Sequence, residues 1–293
     1  AVATSGSLNA GAASDIAERQ GAGTQSLTNS GTLQAGSTLR VQPAAIQNQT
    51  SGWIQAATGS DVRGSNLENL GAWLLSQQNG AADRVDITGT VVNQGVLQSA
   101  GTLALSATDV ANAGRLLAQA ELSARASDSL ANRGDGVIQA GTTLDIDSSQ
   151  RIDNEGGAKL TGQNVTLAAD VLDNAGTVAA TQAAALKASN RIDNSGTIQS
   201  AGVLALSGPE SMSAPDLNNS GTLLSENQLT VDAAAISNAA SGWIQARTGT
   251  SVQADTVDNK NVWLLSTQAG AADQLNTREA TTNSGTVASA GSL

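Results

Sequence analysis

The chain is predicted to be all-β: a right-handed parallel β-helix with about 20 residues per coil and three short strands in each. Three observations predict it. Asn-x-Gly returns about every 20 residues. Apolar residues after each copy alternate with a period of two. The composition suits a narrow core: four Trp and no Phe or Tyr, so that Ala, Leu, Val and Ile are expected to fill the interior.

The turn comes first in each coil. Its copies are Asn29/Gly31, Asn93/Gly95, Asn112/Gly114, Asn132/Gly134, Asn154/Gly156, Asn174/Gly176, Asn194/Gly196, Asn219/Gly221 and Asn283/Gly285. Asn tolerates left-handed geometry and bonds its own backbone, and Gly takes positive φ without strain. The first strand follows. An apolar residue stands four positions after the Asn (Leu33, Leu97, Leu116, Val178, Ile198, Leu223, Val287), with a small one two later (Ala35, Ser99, Ala118, Ala180, Ser200, Ser225, Ser289). A second strand carries pairs such as Leu39/Val41, Leu103/Leu105, Leu204/Leu206 and Leu229/Val231. A third places one apolar residue two before the next Asn, as at Leu27, Ile46, Leu67, Val110, Ile152, Leu172, Ile192 and Leu217. Equivalent Asn side chains should then stack as a ladder. Thirteen such steps, counted from Thr4, predict a rod of about 60–65 Å.

A longer period lies above the coil. Anchors at 4, 29, 48, 69 and 93 have the spacings of those at 194, 219, 238, 259 and 283. Ser51-Gly-Trp-Ile-Gln-Ala56 recurs at 241–246, Trp73-Leu-Leu-Ser76 at 263–266 and Gly80-Ala-Ala-Asp83 at 270–273. The expected organisation is one continuous β-helix over 1–293 with a tandem 190-residue super-repeat, about 1–103 matching 191–293. Both ends fall inside a repeat without an atypical capping coil, which suggests a piece of a longer protein.

The net charge of −11 argues against nucleic acid and anionic membrane surfaces as partners. No run of 18 apolar residues exists to span a membrane, and no signal peptide is found. Without His or Cys there is no Ser-His-Asp triad and no Cys/His metal set. A Gly-rich phosphate loop with Lys is missing too. No catalytic, metal or cofactor residues are expected.

Asn-x-Gly-x-[Ile/Leu/Val]-x-[Ala/Ser], followed by Leu-x-[Leu/Val] and [Ile/Leu]-x-Asn, resembles the filamentous haemagglutinin repeats of two-partner-secreted exoproteins of Gram-negative bacteria. These include filamentous adhesins and the toxin-delivery proteins of contact-dependent growth inhibition. The resemblance covers essentially the whole chain. It implies a non-enzymatic shaft, secreted or held at the outer-membrane surface. Such a shaft would be exported through an outer-membrane partner transporter and would project a distal receptor-binding or toxin domain toward a host or bacterial receptor or glycan.

Two sets of residues compete with a purely mechanical reading. Trp53 and Trp73 fall in similar segments of adjacent coils. With Ile54 and Leu74 assigned inward, both rings are expected outward, one strand spacing apart, and Trp243 and Trp263 repeat the pair. Such pairs would offer a platform for a glycan or protein receptor. Alternatively, each ring packs under the loop that follows it, 77–86 or 267–274. Asp153, Asp173 and Asp193 fall 20 apart on outward positions. They would bind a cation, act on a polysaccharide, or simply pair with Arg151 and Arg191 on a solvated edge. The segment 208–215, with two prolines, reads as a protruding insertion.

Overall fold

A computed structural model describes residues 26–209 and 214–293 in full, together with the strands Val2–Thr4, Ser7–Ala10 and Ser14–Ile16. The middle of the 208–215 insertion lies outside the described residues. Among the described residues the chain is all-β without a helix, a parallel β-solenoid of about 12 turns with stacked strands about 21 residues apart. It divides into two compact units, Ala1–Ile146 and Asp147–Leu293.

In the first unit a typical coil has a first strand Val96–Ser99, a turn, and a long strand Thr102–Asn112 that forms the second and third faces. Coils pair in parallel and in register: Asn48 opposite Asn69, Asn69 opposite Asn93, Asn93 opposite Asn112 and Asn112 opposite Asn132. In one coil of the second unit the three strands run together, so that Thr177–Asn194 extends through a whole coil, while in the next Thr197–Ser200, Leu204–Ser207 and Asp216–Asn219 stay separate. Its register is Asn154, Asn174, Asn194, Asn219, Asn238, Asn259 and Asn283. Bulges absorb length differences, for instance between Ala107 and Asp109.

The period-two pattern lands where it should. Leu97, Leu103, Leu105 and Val110 fill one coil, and Val178, Leu186 and Ile192 another, all at most 2% exposed. Each such side chain contributes roughly 1.5–3 kcal/mol on burial. The interior is not purely aliphatic, however. Trp73 and Trp263 are the largest fully buried side chains.

Candidate functional site

The Asn ladder is a buried feature. Asn29, Asn48, Asn69, Asn93, Asn112 and Asn132 are at most 1% exposed in the first unit. In that series Asn69 Nδ2 donates to Asn93 Oδ1 at 2.7 Å and Asn93 Nδ2 to Asn112 Oδ1 at 2.7 Å. The same amides also donate to the main-chain carbonyls of Val96 and Arg115, both at 3.0 Å. The second unit repeats this from Asn154 through Asn174, Asn194, Asn219, Asn238 and Asn259 to the exposed Asn283. The amides from Asn29 to Asn112 and from Asn154 to Asn259 thus offset their own burial with partners on the next coil.

The turn glycines serve a different purpose from the one expected. Gly31, Gly95, Gly114, Gly176, Gly196, Gly221 and Gly285 do not take positive φ; of the Asn-x-Gly glycines, Gly134 does, at 55°. What Gly95, Gly114, Gly176, Gly196, Gly221 and Gly285 supply is the missing Cβ, because the turns stack main chain on main chain at one strand spacing. An added Cβ would collide with the carbonyl oxygen of Gly71 at Gly95 and of Gly95 at Gly114. In the second unit the obstructing carbonyl is that of Ala158 at Gly176, Gly176 at Gly196, Gly196 at Gly221 and Asn261 at Gly285. Gly31 belongs to the same stack, its carbonyl accepting from Trp53 N–H of the next coil at 2.8 Å.

Two of the predicted glycines stand outside that stack. At Gly134 and Gly156 an added Cβ would meet nothing within 4 Å. Those two sit in a two-residue enlargement of the turn, closed by Gly136 N–H to Arg133 O at 2.9 Å and by Ala158 N–H to Glu155 O at 3.0 Å. Gly136 takes the place against the preceding coil. At Gly136 a Cβ would lie 2.6 Å from Asn112 O and 2.6 Å from Asn132 Oδ1.

That enlargement also corrects the tryptophans. Gly52 comes four positions after Asn48, but Gly71 only two after Asn69. The inward side chain stands two after the stacked glycine, so it is Ile54 in one coil and Trp73 in the next. Trp73 pairs with Ile54 and Leu97, while Trp53 pairs with Ala72. Trp53 and Trp243 are 41% and 39% exposed, and Trp73 and Trp263 are 0%. Leu74, expected inward, is half-buried on the outer side. The outward Trp pairs therefore do not exist. Each block presents one exposed ring and keeps one in its core. Counting from Gly rather than from Asn would have found this.

Around Trp73 the sequence reading missed a buried carboxylate. Asp83, 2% exposed, accepts from Ser60 N–H at 2.6 Å, from Ser76 Oγ at 2.5 Å and from Ser99. Asp273, 5% exposed, accepts from Thr250 N–H at 2.8 Å and from Ser266 and Ser289 Oγ, each at 2.5 Å. Each cluster draws together three successive coils and closes an exposed loop, 77–80 or 267–270. Burial pushes the Asp83 carboxyl above the ordinary range, and its three donors pull the other way. The repeated Gly-Ala-Ala-Asp was the signal for it.

On the outer face of the second unit, Asp153, Asp173 and Asp193 stand in register. Arg151 Nε lies 2.6 Å from Asp153 and its Nη2 contacts Asp173, and Arg191 Nε lies 2.5 Å from Asp193. Burial raises Asp173, the Arg151 guanidinium draws it back down, and Asp193 and Asp153 raise it further. A polar groove of about 540 Å³ runs past Asp173, Arg191, Asp193, Asn218 and Ser237. Asn218 Nδ2 donates to Asp193 at 2.8 Å. Among the described residues no group of three His, Cys, Asp or Glu side chains gathers as a metal ion would need.

The first unit carries a different charged surface. Arg40, Asp61 and Arg84 form one row, and Arg63, Asp86, Ser106 and Arg125 the next. Arg84 sits 2.7 Å from Asp86, whose carboxyl it holds below the ordinary range. In the second copy of the block the corresponding residues are Thr230, Ser251, Gln253, Gln274 and Asn276, all uncharged.

Comparison with known proteins agrees with this architecture. The model of the haemagglutinin repeat matches residues 2–95, 78–156, 160–208 and 205–293. No curated protein and no solved structure matches the chain. Haemagglutinin repeats are structural, adhesin-type sequences typical of secreted or surface proteins. No helix among the described residues is long and apolar enough to cross a membrane. With repeat matches from one end to the other on a stacked parallel solenoid, the chain belongs to the haemagglutinin repeat family.

Proposed function

We propose that this segment is the shaft of a filamentous exoprotein at the surface of a Gram-negative cell, exported through an outer-membrane partner transporter. It would hold a receptor-binding or toxin domain away from that surface. The observation that carries this reading is the buried Asn ladder, which fixes every coil of a unit to its neighbours in one register. Stiffness and length follow from such stacking, and neither requires a particular outer face. The change from charged to uncharged residues between the two copies of the block agrees with that tolerance. Export could be driven in the same way, since coils folded outside the cell resist return.

Excising one coil in register, residues 112–131, from the parent protein tests the proposal. A shaft should tolerate the loss: secretion and cell binding remain, and the filament shortens by roughly one strand spacing, about 4.8 Å. Abolished cell binding in a secreted, β-rich variant would overturn it.

A further inference from the structure

The two exposed tryptophans are held in a way that the shaft does not need. Trp53 Nε1 donates to Gln55 Oε1 at 3.0 Å, and Trp243 Nε1 to Gln245 Oε1 at 3.2 Å. Residues two apart on a strand point to the same side, about 6.6 Å from each other along it. A ring tied at that distance is held over its own strand, part covered and part open to solvent. The exposures of 41% and 39% agree. Because Oε1 is taken by the indole, the glutamine offers its amide N–H groups.

The positions beside each pair on the neighbouring strands are uncharged in a chain with 14 Lys and Arg and 25 Asp and Glu, although in the second copy Arg247 stands two residues beyond Gln245 and Glu226 two beyond Leu224. Thr32 and Ala72 flank Trp53, and Gln34 and Leu74 flank Gln55. In the second unit Thr222 and Val262 flank Trp243, and Leu224 and Leu264 flank Gln245. The two copies of the block have diverged at five charged positions on another face, yet both retain the exposed ring and its glutamine. An open indole beside apolar neighbours is a liability for solubility, and the fold gains little from it.

We infer that Trp53–Gln55 and Trp243–Gln245 are two copies of one binding platform for a neutral glycan chain. The C–H face of a hexopyranose would stack on the indole, and the glutamine amide would donate to its hydroxyls. Uncharged cross-strand neighbours on a chain of net charge −11 do not suit a polyanion. The flat, open setting suits a chain laid across the sheet rather than a small molecule enclosed in a pocket. The inference goes beyond the shaft reading and does not depend on it.

The test is calorimetric titration of the 293-residue chain with oligosaccharides of glucose, galactose and mannose, and with heparin as the anionic control. Saturable binding of at least one neutral oligosaccharide is expected. Trp53→Ala with Trp243→Ala should weaken it about tenfold or more, with circular dichroism unchanged. Gln55→Leu with Gln245→Leu should weaken it with both rings in place. No neutral binding, binding unaffected by the Trp variant, or binding of heparin alone would overturn the inference. So would concentration-dependent self-association in sedimentation velocity that the Trp variant abolishes, since the patch would then serve a second copy of the chain.

Discussion

At the scale of single residues, the clearest chemistry is a carboxylate inside a solenoid. Asp83 is buried under three donors, and burial raises its proton affinity in the folded state. Above the unfolded carboxylate pKa of about 3.9 the folded chain then binds more protons at this site than the unfolded chain does. Stability therefore falls as pH rises through that window and is regained on acidification. Thermal midpoints of the native chain and of Asp83→Asn should separate in favour of the native chain on going from pH 7 to pH 4. A shift of the opposite sign would show that the three hydrogen bonds outweigh burial. The exposed pair Arg84–Asp86 works the other way, because its depressed Asp86 loses its contribution as pH falls below about 3.9. Solvent screens a surface pair of that kind, so Asp83 should dominate the difference.

At the scale of the strand and turn, the coil-to-coil approach sets what a turn can hold. Gly134, with φ at 55°, needs its left-handed backbone but has open space. Gly134→Ala should cost about 1–2 kcal/mol, the price of left-handed geometry for an L-residue. Two residues on, Gly136 has no such φ, but a Cβ added there would lie 2.6 Å from Asn112 O and Asn132 Oδ1. Gly136→Ala must part the coils or move the ladder, so its loss of denaturant stability should exceed that of Gly134→Ala. The reverse order would mean that the coils yield easily. The same geometry explains what could be read from the sequence. Apolar positions such as Leu97, Leu105 and Ile192 were legible because a strand allows one side chain in two to face inward. The positions of Gly95, Gly114 and Gly196 were legible too, but not their reason, since the carbonyl that excludes a Cβ lies a full coil away in the chain. Trp73 was not, since counting from Asn ignores the two residues that turns such as 49–51 and 133–135 insert before the stacked position. Asp83 escaped notice because its partners Ser60 and Ser99 belong to other coils, and contacts between coils carry no local pattern.

At the scale of the whole molecule, nearest-neighbour stacking makes damage local. Asn112→Ala removes the acceptor of Asn93 Nδ2 and the donor to Asn132 Oδ1, orphaning buried groups worth about 1–3 kcal/mol each. Amide hydrogen exchange should quicken across residues 93–132 and remain slow in Gln228–Asn238 and Gly249–Asn259. Equal quickening everywhere would instead indicate one global unfolding unit. The ladder has a further property beyond its strength. Every Nδ2 along each series points to the Asn of the following coil, never the preceding one. The main-chain carbonyls that share these amides can only accept, so the orientation is fixed rather than arbitrary. The side-chain dipoles consequently add head to tail and give the interior a grammar that reads in one direction. A chain appearing amino end first would lay down each coil against hydrogens already aimed at it, whereas one arriving carboxyl end first would bring each coil's hydrogens to oxygens already in place.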